Sequence, residues 1–304
     1  MISVVIPLYN KEHQIAETLR SVLEQTFQDF EVVIVDDGST DKSAEEALKI
    51  RDPRIRLVRQ ENAGVSSARN RGIEEARFDL IAFLDADDRW KPEYLQTQYD
   101  LFQKYPQCGV FACNYEFVHA DGSIHPTVIR KLAFEGQDGI LDNYFEVASC
   151  SHPPICSISI MVRKEALLRI GGFPVGIRSG EDLLTWARLA CQYQIAYSLP
   201  SQAQYVQTSS SSYAPPPDIE CIDDSVATGL RKLFLSYSKD GRYKHMIGYL
   251  AFWYKMRSRI NLSLGNRRAS IACAAASLQC RITLKPVVFI VLAFMPKFIT
   301  SKLV

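Results

Sequence analysis

The first hundred residues alternate short, continuously apolar runs with segments whose apolar positions recur every three or four residues. Residues 2–7 are apolar and β-branched at most positions, the pattern of a strand buried on both faces. Across 11–25, Ile15, Leu19, Val22 and Leu23 fall on one helical stripe. Residues 31–35, 55–59 and 80–84 repeat the strand pattern. Helices are predicted over 65–76 and over 41–51, the latter with Ser39, Thr40 or Asp41 as N-cap. Strands alternating with helices imply βαβ units and a largely parallel sheet flanked by helices. Ligands of such sheets bind beyond the carboxyl ends of the strands.

Farther along, 92–105 reads as a helix with Pro92 in its first turn. Residues 108–118 and 124–130 read as a hairpin across Asp121-Gly122-Ser123, and 156–162 as a strand. A short helix then stops at Gly171-Gly172, and 181–192 is a helix opening on two carboxylates. Residues 209–218, with four serines and three consecutive prolines, read as a linker. Helical patterns follow over 219–237, 241–260 and 265–280, and then over 287–299. The organisation expected is a sheet domain in two halves, 1–100 and 101–215, and a helical extension, 216–304.

With 304 residues, 47% of them apolar, the chain can bury a large core, which argues against global disorder. No apolar run is long enough to span a bilayer as a helix. The apolar start lacks a basic lead and a small-residue cleavage site, so no signal peptide is expected. The eight cysteines form no CxxC pair, and reduced thiols in a cytoplasmic protein are the simplest expectation. The net charge of +1 hides an asymmetry. Residues 231–304 carry 14 basic side chains and one acid, Asp240, whereas 1–230 carry 21 basic and 33 acidic ones. A tail so basic implies a polyanionic partner of its own.

Three strands end in polar clusters: Pro7-Leu8-Tyr9-Asn10, Asp36-Asp37-Gly38-Ser39 and Asp85-Ala86-Asp87-Asp88. Clustered carboxylates in a loop suit Mg²⁺ or Mn²⁺, which in turn bind phosphate oxygens. Asp37 could accept a hydrogen bond from a base or ribose, Tyr9 could stack on a base, and Lys11 and Arg69 could neutralise phosphates. Each residue also has a bland reading. Aspartates cap turns, a lone tyrosine packs, and Glu181 with Asp182 is a favourable pair at a helix N-terminus. The five histidines lack metal-ligand spacing.

Taken in order, the motifs resemble the family-2 glycosyltransferases, nucleotide-sugar enzymes of the GT-A fold. The matching text is Val4-Val5-Ile6-Pro7-Leu8-Tyr9-Asn10 and Val35-Asp36-Asp37-Gly38-Ser39-Thr40-Asp41. It continues with Asn62-Ala63-Gly64-Val65-Ser66-Ser67-Ala68-Arg69-Asn70 and Phe83-Leu84-Asp85-Ala86-Asp87-Asp88, then Gly171-Gly172-Phe173 and Gly180-Glu181-Asp182-Leu183. The resemblance covers about residues 2–190 and implies a GT-A-like α/β fold. It implies that 1–100 bind a nucleotide-sugar donor, through Pro7, Tyr9, Asn10 and Asp37 around the nucleotide, Arg69 nearby and Asp85 near the ribose or sugar. Asp87, with Asp88 assisting, would hold Mn²⁺ or Mg²⁺ on the diphosphate. Asp182, beside Glu181, would be the base that deprotonates an acceptor hydroxyl of a glycan or lipid-linked carrier, with inversion at the anomeric carbon. Uridine is the implied base. Processive members carry Gln-x-x-Arg-Trp after the base; here Thr185-Trp186-Ala187-Arg188-Leu189 stands there, so one sugar per encounter is expected.

Two rivals remain. A sugar nucleotidyltransferase would show a Gly-rich phosphate loop with a lysine after the first strand, and Pro7-Leu8-Tyr9-Asn10-Lys11-Glu12 is none. A catalytically silent nucleotide-sugar binder or scaffold would have lost the metal aspartate or the base. The tail admits two readings as well. It can lie peripherally on an anionic membrane, on the inner face, with Trp253 and Tyr254 as interfacial anchors. It can equally be a helical subdomain packed on the acidic front part. Nucleic acid is not expected, because no binding motif accompanies the charge.

Overall fold

The β-branched run at the start of the chain forms β1 (Ile2–Leu8), buried along its whole length, with β2 (Phe30–Asp37), β3 (Ile55–Gln60) and β4 (Leu80–Phe83) beside it. The computed structural model describes residues 1–207 and 224–295; the linker expected over 209–218 lies outside them. Between these strands run α1 (Ile15–Leu23), α2 (Ser43–Lys49) and α3 (Val65–Glu75). The short β5 (Arg89–Trp90), α4 (Tyr94–Lys104), β6 (Val110–Val118), β7 (Ile124–Pro126) and β8 (Asp138–Ile140) follow. Next come α5 (Tyr144–Cys150), β9 (Ile160–Arg163), α6 (Lys164–Arg169), α7 (Glu181–Gln192) and β10 (Ile195–Val206). The last four are α8 (Ser225–Leu235), α9 (Tyr243–Ser263), α10 (Arg267–Cys280) and α11 (Leu284–Ala293).

The described residues fall into two compact units, residues 1–144 with 152–207, and 145–151 with 224–295. The first is built on one sheet in the order β3-β2-β1-β4-β9-β6-β10-β5, with β7 added to β6 and β8 to β10. Strands β1 to β4 pair in parallel, as do β6 and β10. β9 is inserted antiparallel between β4 and β6, so the sheet is mixed, with its longest registers parallel.

α3 lies close on β1 because Gly72 faces it: a Cβ there would stand 2.2 Å from Val5 Cγ1. Alanine favours a helix over glycine by about 1 kcal/mol, but overpacking a close-packed core costs about 1–3 kcal/mol, and this clash is severe. Gly72→Ala is therefore expected to destabilise the chain, read as a lower urea midpoint. An unchanged or raised midpoint would show that β1 and α3 can part without cost.

Two differences from the sequence expectation bear on the site. The strand expected over 156–162 begins only at Ile160, leaving Cys156–Ser159 as a turn that carries Ser157. The strand β10 was not expected at all. Pro200 breaks its pattern, and the pairing with β6 shifts register between Ser198 and Ser201 and again before Ala203, as a residue without an N–H requires.

In the second unit, Asp224 caps α8 by accepting from Val226 N (2.9 Å) and Ala227 N (3.0 Å). Its other oxygen accepts from Trp253 Nε1 at 2.7 Å and pairs with Arg257 at 3.1 Å. Phe145 of α5 packs edge-on against Phe234 and Tyr249. α9 and α10 are joined by reciprocal bonds, Ser258 Oγ to Ser270 O and Ser270 Oγ to Ser258 O, both 2.9 Å. Trp253 and Tyr254 are buried, so they are core residues rather than interfacial anchors. Among the described residues no helix is long and apolar enough to cross a membrane. Cys108, Cys113, Cys156 and Cys280 are free thiols, but Cys273 is disulfide-bonded. The expectation of reduced thiols throughout does not hold, and the cysteines no longer argue for a compartment.

Candidate active site

Because β1, β2 and β4 run parallel, their polar ends meet at one edge of the sheet. Pro7, Tyr9, Lys11, Asp37, Arg69, Asp85 and Asp87 line a cleft of about 390 Å³ there, together with Asn62 and Gly64. Tyr9 is 47% exposed, so its ring is accessible from the cleft that it lines. Asn10 takes a left-handed backbone, φ +51°, which asparagine tolerates better than most residues. Its N–H donates to Ser39 Oγ (3.1 Å) and its Oδ1 accepts from Thr40 N (2.8 Å). Asn10 therefore ties the first strand-end loop to the second.

Asp37 is buried, and its carboxylate organises the loop before α3. Oδ1 accepts from Gln60 Nε2 (2.7 Å) and Ala63 N (3.0 Å), and Oδ2 from Gly64 N (2.8 Å). Each carboxylate oxygen has about two acceptor sites, so one site on Oδ2 remains for a ligand in the cleft.

Arg69 is the centre of charge. It is 3% exposed, donating from Nη2 to Asp85 Oδ1 at 2.8 Å and from Nη1 to Glu181 Oε1 at 3.0 Å. One buried cation thus ties the end of β4 to the start of α7. Burial alone would lower its pKa; the charges of Asp85 and Glu181 outweigh that and hold it raised. The guanidinium carbon lies 5.2 Å from the centroid of Phe173, a cation–π contact. Asn70 holds Phe173 there, accepting from its N and donating to its O, both at 2.8 Å. The Ala68-Arg69-Asn70 and Gly171-Gly172-Phe173 motifs therefore meet in space. Asp85 is kept ionised against its burial by Arg69 and by Ser157 Oγ, which donates to Oδ2 at 2.7 Å. Ser157 is a site residue that the sequence reading missed, because its run reads as strand.

Asp87 Oδ2 faces Lys11 Nζ at 2.6 Å. Asp88 is turned away into the fold, its Oδ1 accepting from Val206 N at 2.7 Å. Burial, then the charges of Asp87 and Asp85, push its carboxyl well above the usual range. Such a shift marks a place short of positive charge. Among the described residues no three His, Cys, Asp or Glu side chains converge to hold a metal ion alone. Hard carboxylate oxygens suit Mg²⁺ or Mn²⁺, and here they would make only a partial shell, in which Asp87 of the cleft lining would be the residue to hold the ion.

α7 begins after Gly180, whose φ of +85° favours glycine, and sets Glu181 and Asp182 in its first turn. Asp182 keeps part of its surface in solvent. Its pKa is nevertheless raised to about 7, first by loss of water and then by the charge of Glu181, with Arg69 opposing. A carboxylate near neutrality is what a general base working at pH 7 requires.

A family model described as Glycosyl transferase family 2 matches residues 3–166, just over half of the chain. Glycosyltransferase GlyG of Streptococcus pneumoniae serotype 4 is 37% identical over 128 residues, 41% of this chain and 42% of its own length. The putative teichuronic acid biosynthesis glycosyltransferase TuaG of Bacillus subtilis is 32% identical over 66% of this chain and 75% of its own. Glycosyltransferase GlyA of the same pneumococcal strain is matched over only 27% of its length, so the chain spans less than half of either pneumococcal relative. The crystal structure of S. aureus TarS 1-349 in complex with UDP-GlcNAc superposes with a TM-score of 0.70 over 92% of this chain and 81% of that one. At 20% identity this likeness shows the fold alone.

Proposed function

The chain belongs to glycosyl transferase family 2, whose model it matches over residues 3–166, and from that premise we propose that it moves one sugar from a nucleoside diphosphate donor to an acceptor hydroxyl with inversion. The observation that carries this reading is the fork of Arg69 between Asp85 and Glu181, which brings the cleft and the base-bearing helix into one charged cluster. Residues 1–100 hold the donor and 101–215 the acceptor, a glycan or a lipid-linked carrier. Uridine is the base, in keeping with the UDP-GlcNAc bound by TarS.

Tyr9 stacks on the base, and the open acceptor site on Asp37 Oδ2 takes a hydrogen bond from it. Arg69 holds Asp85 ionised and in place against the donor. Asp182 accepts the proton of the acceptor hydroxyl as its oxygen bonds to the anomeric carbon. The bond from that carbon to the phosphate oxygen breaks, and its electron pair leaves with the nucleoside diphosphate. A divalent cation on Asp87, when bound, supplies charge to that leaving group. Lys11, beside the same carboxylate, adds a second positive charge. Asp88 stays in the fold and positions the end of β10. A single base opposite the leaving group gives inversion. The Thr185–Leu189 stretch lies within α7 with Trp186 buried, in keeping with one sugar per encounter.

A panel of nucleotide sugars with Mn²⁺ or with EDTA tests the reading. UDP release is expected with at least one UDP-sugar, and both EDTA and Asp87→Ala should lower it about a hundredfold or more. Release that ignores EDTA would remove the cation. Donor-dependent thermal stabilisation without UDP release would make the chain a silent binder, and donor cleavage that consumes pyrophosphate a nucleotidyltransferase.

A further inference from the structure

Apart from Lys285, α11 is apolar, yet only one of its faces is covered. Leu292 and Ala293 are buried with Leu262 of α9, and Phe289 packs with them beside Ile271 of α10. The opposite stripe is open. Leu284 is 76% exposed, Val287, Val288 and Val291 between 41% and 51%, and Phe294 76%; Ile282, just before the helix, is 86% exposed. These positions follow the i, i+3, i+4, i+7 spacing of one helical face. Exposed apolar surface this continuous marks an interaction site rather than scattered hydrophobes.

Charge identifies what covers it. Lys285 lies at the start of α11 and Arg281 one turn before it. Arg281 reaches across to α9, where a Cβ on Gly248 would stand 3.5 Å from its Nη1. Lys255, two turns farther along α9, holds its ammonium 4.6 Å from the Phe252 ring. Its pKa is lowered by burial and then by Lys285 and Arg281, so the three cations share one neighbourhood. The sequence holds no acid after Asp240. A second copy docking on this face would set like charges against one another, whereas an anionic surface would neutralise them.

We propose that α11 is a membrane-docking helix: its stripe of Leu284, Val287, Val288, Val291 and Phe294 enters the interface of an anionic bilayer while Lys255, Arg281 and Lys285 meet lipid headgroup phosphates. Ten residues make a helix about 15 Å long, half the hydrocarbon thickness, so it lies in the interface and does not cross. Such binding combines apolar burial with attraction to anionic lipid.

The test is co-sedimentation of the full chain, without donor, with vesicles of phosphatidylcholine alone or with 30% phosphatidylglycerol. Binding is expected to the anionic vesicles only and to weaken in 0.5 M salt. Arg281→Gln with Lys285→Gln should lower partitioning about 25-fold, near fivefold per charge. Val288→Asp with Val291→Asp should abolish it, with far-UV circular dichroism and UDP release unchanged; should that pair unfold the chain, Phe294→Ser gives the same reading. Binding that survives both sets of changes places the contact elsewhere and overturns the proposal. So does a wild-type dimer that ignores vesicles and dissociates in the Val291→Asp chain, which would make this face a self-association surface. Because vesicle binding itself is read without donor, either result leaves the transferase reading untouched.

Discussion

Replacing Asp182 by Asn is expected to lower the turnover of sugar transfer by a factor of about 10²–10⁴, the range over which a positioned general base contributes. Asparagine keeps the size of the side chain and an oxygen for the Leu183 N–H, which Asp182 Oδ1 accepts at 2.8 Å, so the helix start is preserved. What disappears is the ability to take a proton. In the native chain kcat/KM should climb about tenfold per pH unit up to about pH 7, where the Asp182 carboxyl ionises, and then level off. The variant's residual rate should be flat across that window. Turnover within a few fold of native would sink the assignment of the base.

The same shift has an opposite consequence for stability. A carboxyl raised from its ordinary value to about 7 holds its proton in the folded state after the unfolded chain has released it. Stability therefore falls as pH rises between those two values. Asparagine does not titrate, so the variant should melt no lower than the native chain at pH 8, and its melting temperature relative to native should rise from pH 5 to pH 8. A variant that is both slower and less stable at pH 8 would have lost structure, not only a base.

How much of this was readable beforehand differs by element. Strands β1, β2 and β4 and helices α3 and α7 were legible because continuous apolar runs and 3.6-residue stripes are local signals, and the two helices open after Gly64 and Gly180. The gathering of strand-end aspartates follows from parallel pairing alone. Ser157 and β10 were hidden for different reasons. Cys156–Val162 alternates like a strand, but Ser159 bonds back to Cys156 and closes a turn, which sets Ser157 against Asp85, far off in sequence. Pro200 masks a strand whose cost in missing ladder bonds is absorbed by a shifted register. Asp88 adjoins Asp87 in sequence, yet its Oδ1 accepts from the Val206 N–H, 118 positions later. No local pattern encodes such a partner. The different surroundings of Asp87, beside Lys11, and Asp88, beside Val206, are therefore set by tertiary contacts.

Arg69→Met is expected to destabilise the fold by about 3–5 kcal/mol, the usual result of removing one partner from a buried ion pair. Methionine retains most of the aliphatic stem, so lost packing is the smaller effect. The larger one is electrostatic, since Asp85 and Glu181 would be left facing each other without the cation that now sits 2.8 and 3.0 Å from them. The sign of the pH dependence separates the two. In the native chain Asp85 is held below its ordinary pKa, so its contribution is present above the unfolded value and lost as acid protonates it. Without Arg69 burial is left to favour the neutral form of Asp85, and the deficit should be greatest near pH 8 and shrink toward pH 4–5. A cavity alone would cost the same at either pH. Glu181→Gln added to Arg69→Met should restore part of the loss at pH 8 by removing one of the stranded charges, and it keeps the test readable if the single variant fails to fold. Arg69→Lys should fall between, because it keeps the charge but replaces the two separate Nη donors with one compact ammonium. Urea midpoints for these chains at both pH values would decide the matter, and an Arg69→Met deficit independent of pH would mean that the guanidinium serves here as packing and not as the cluster's counter-charge.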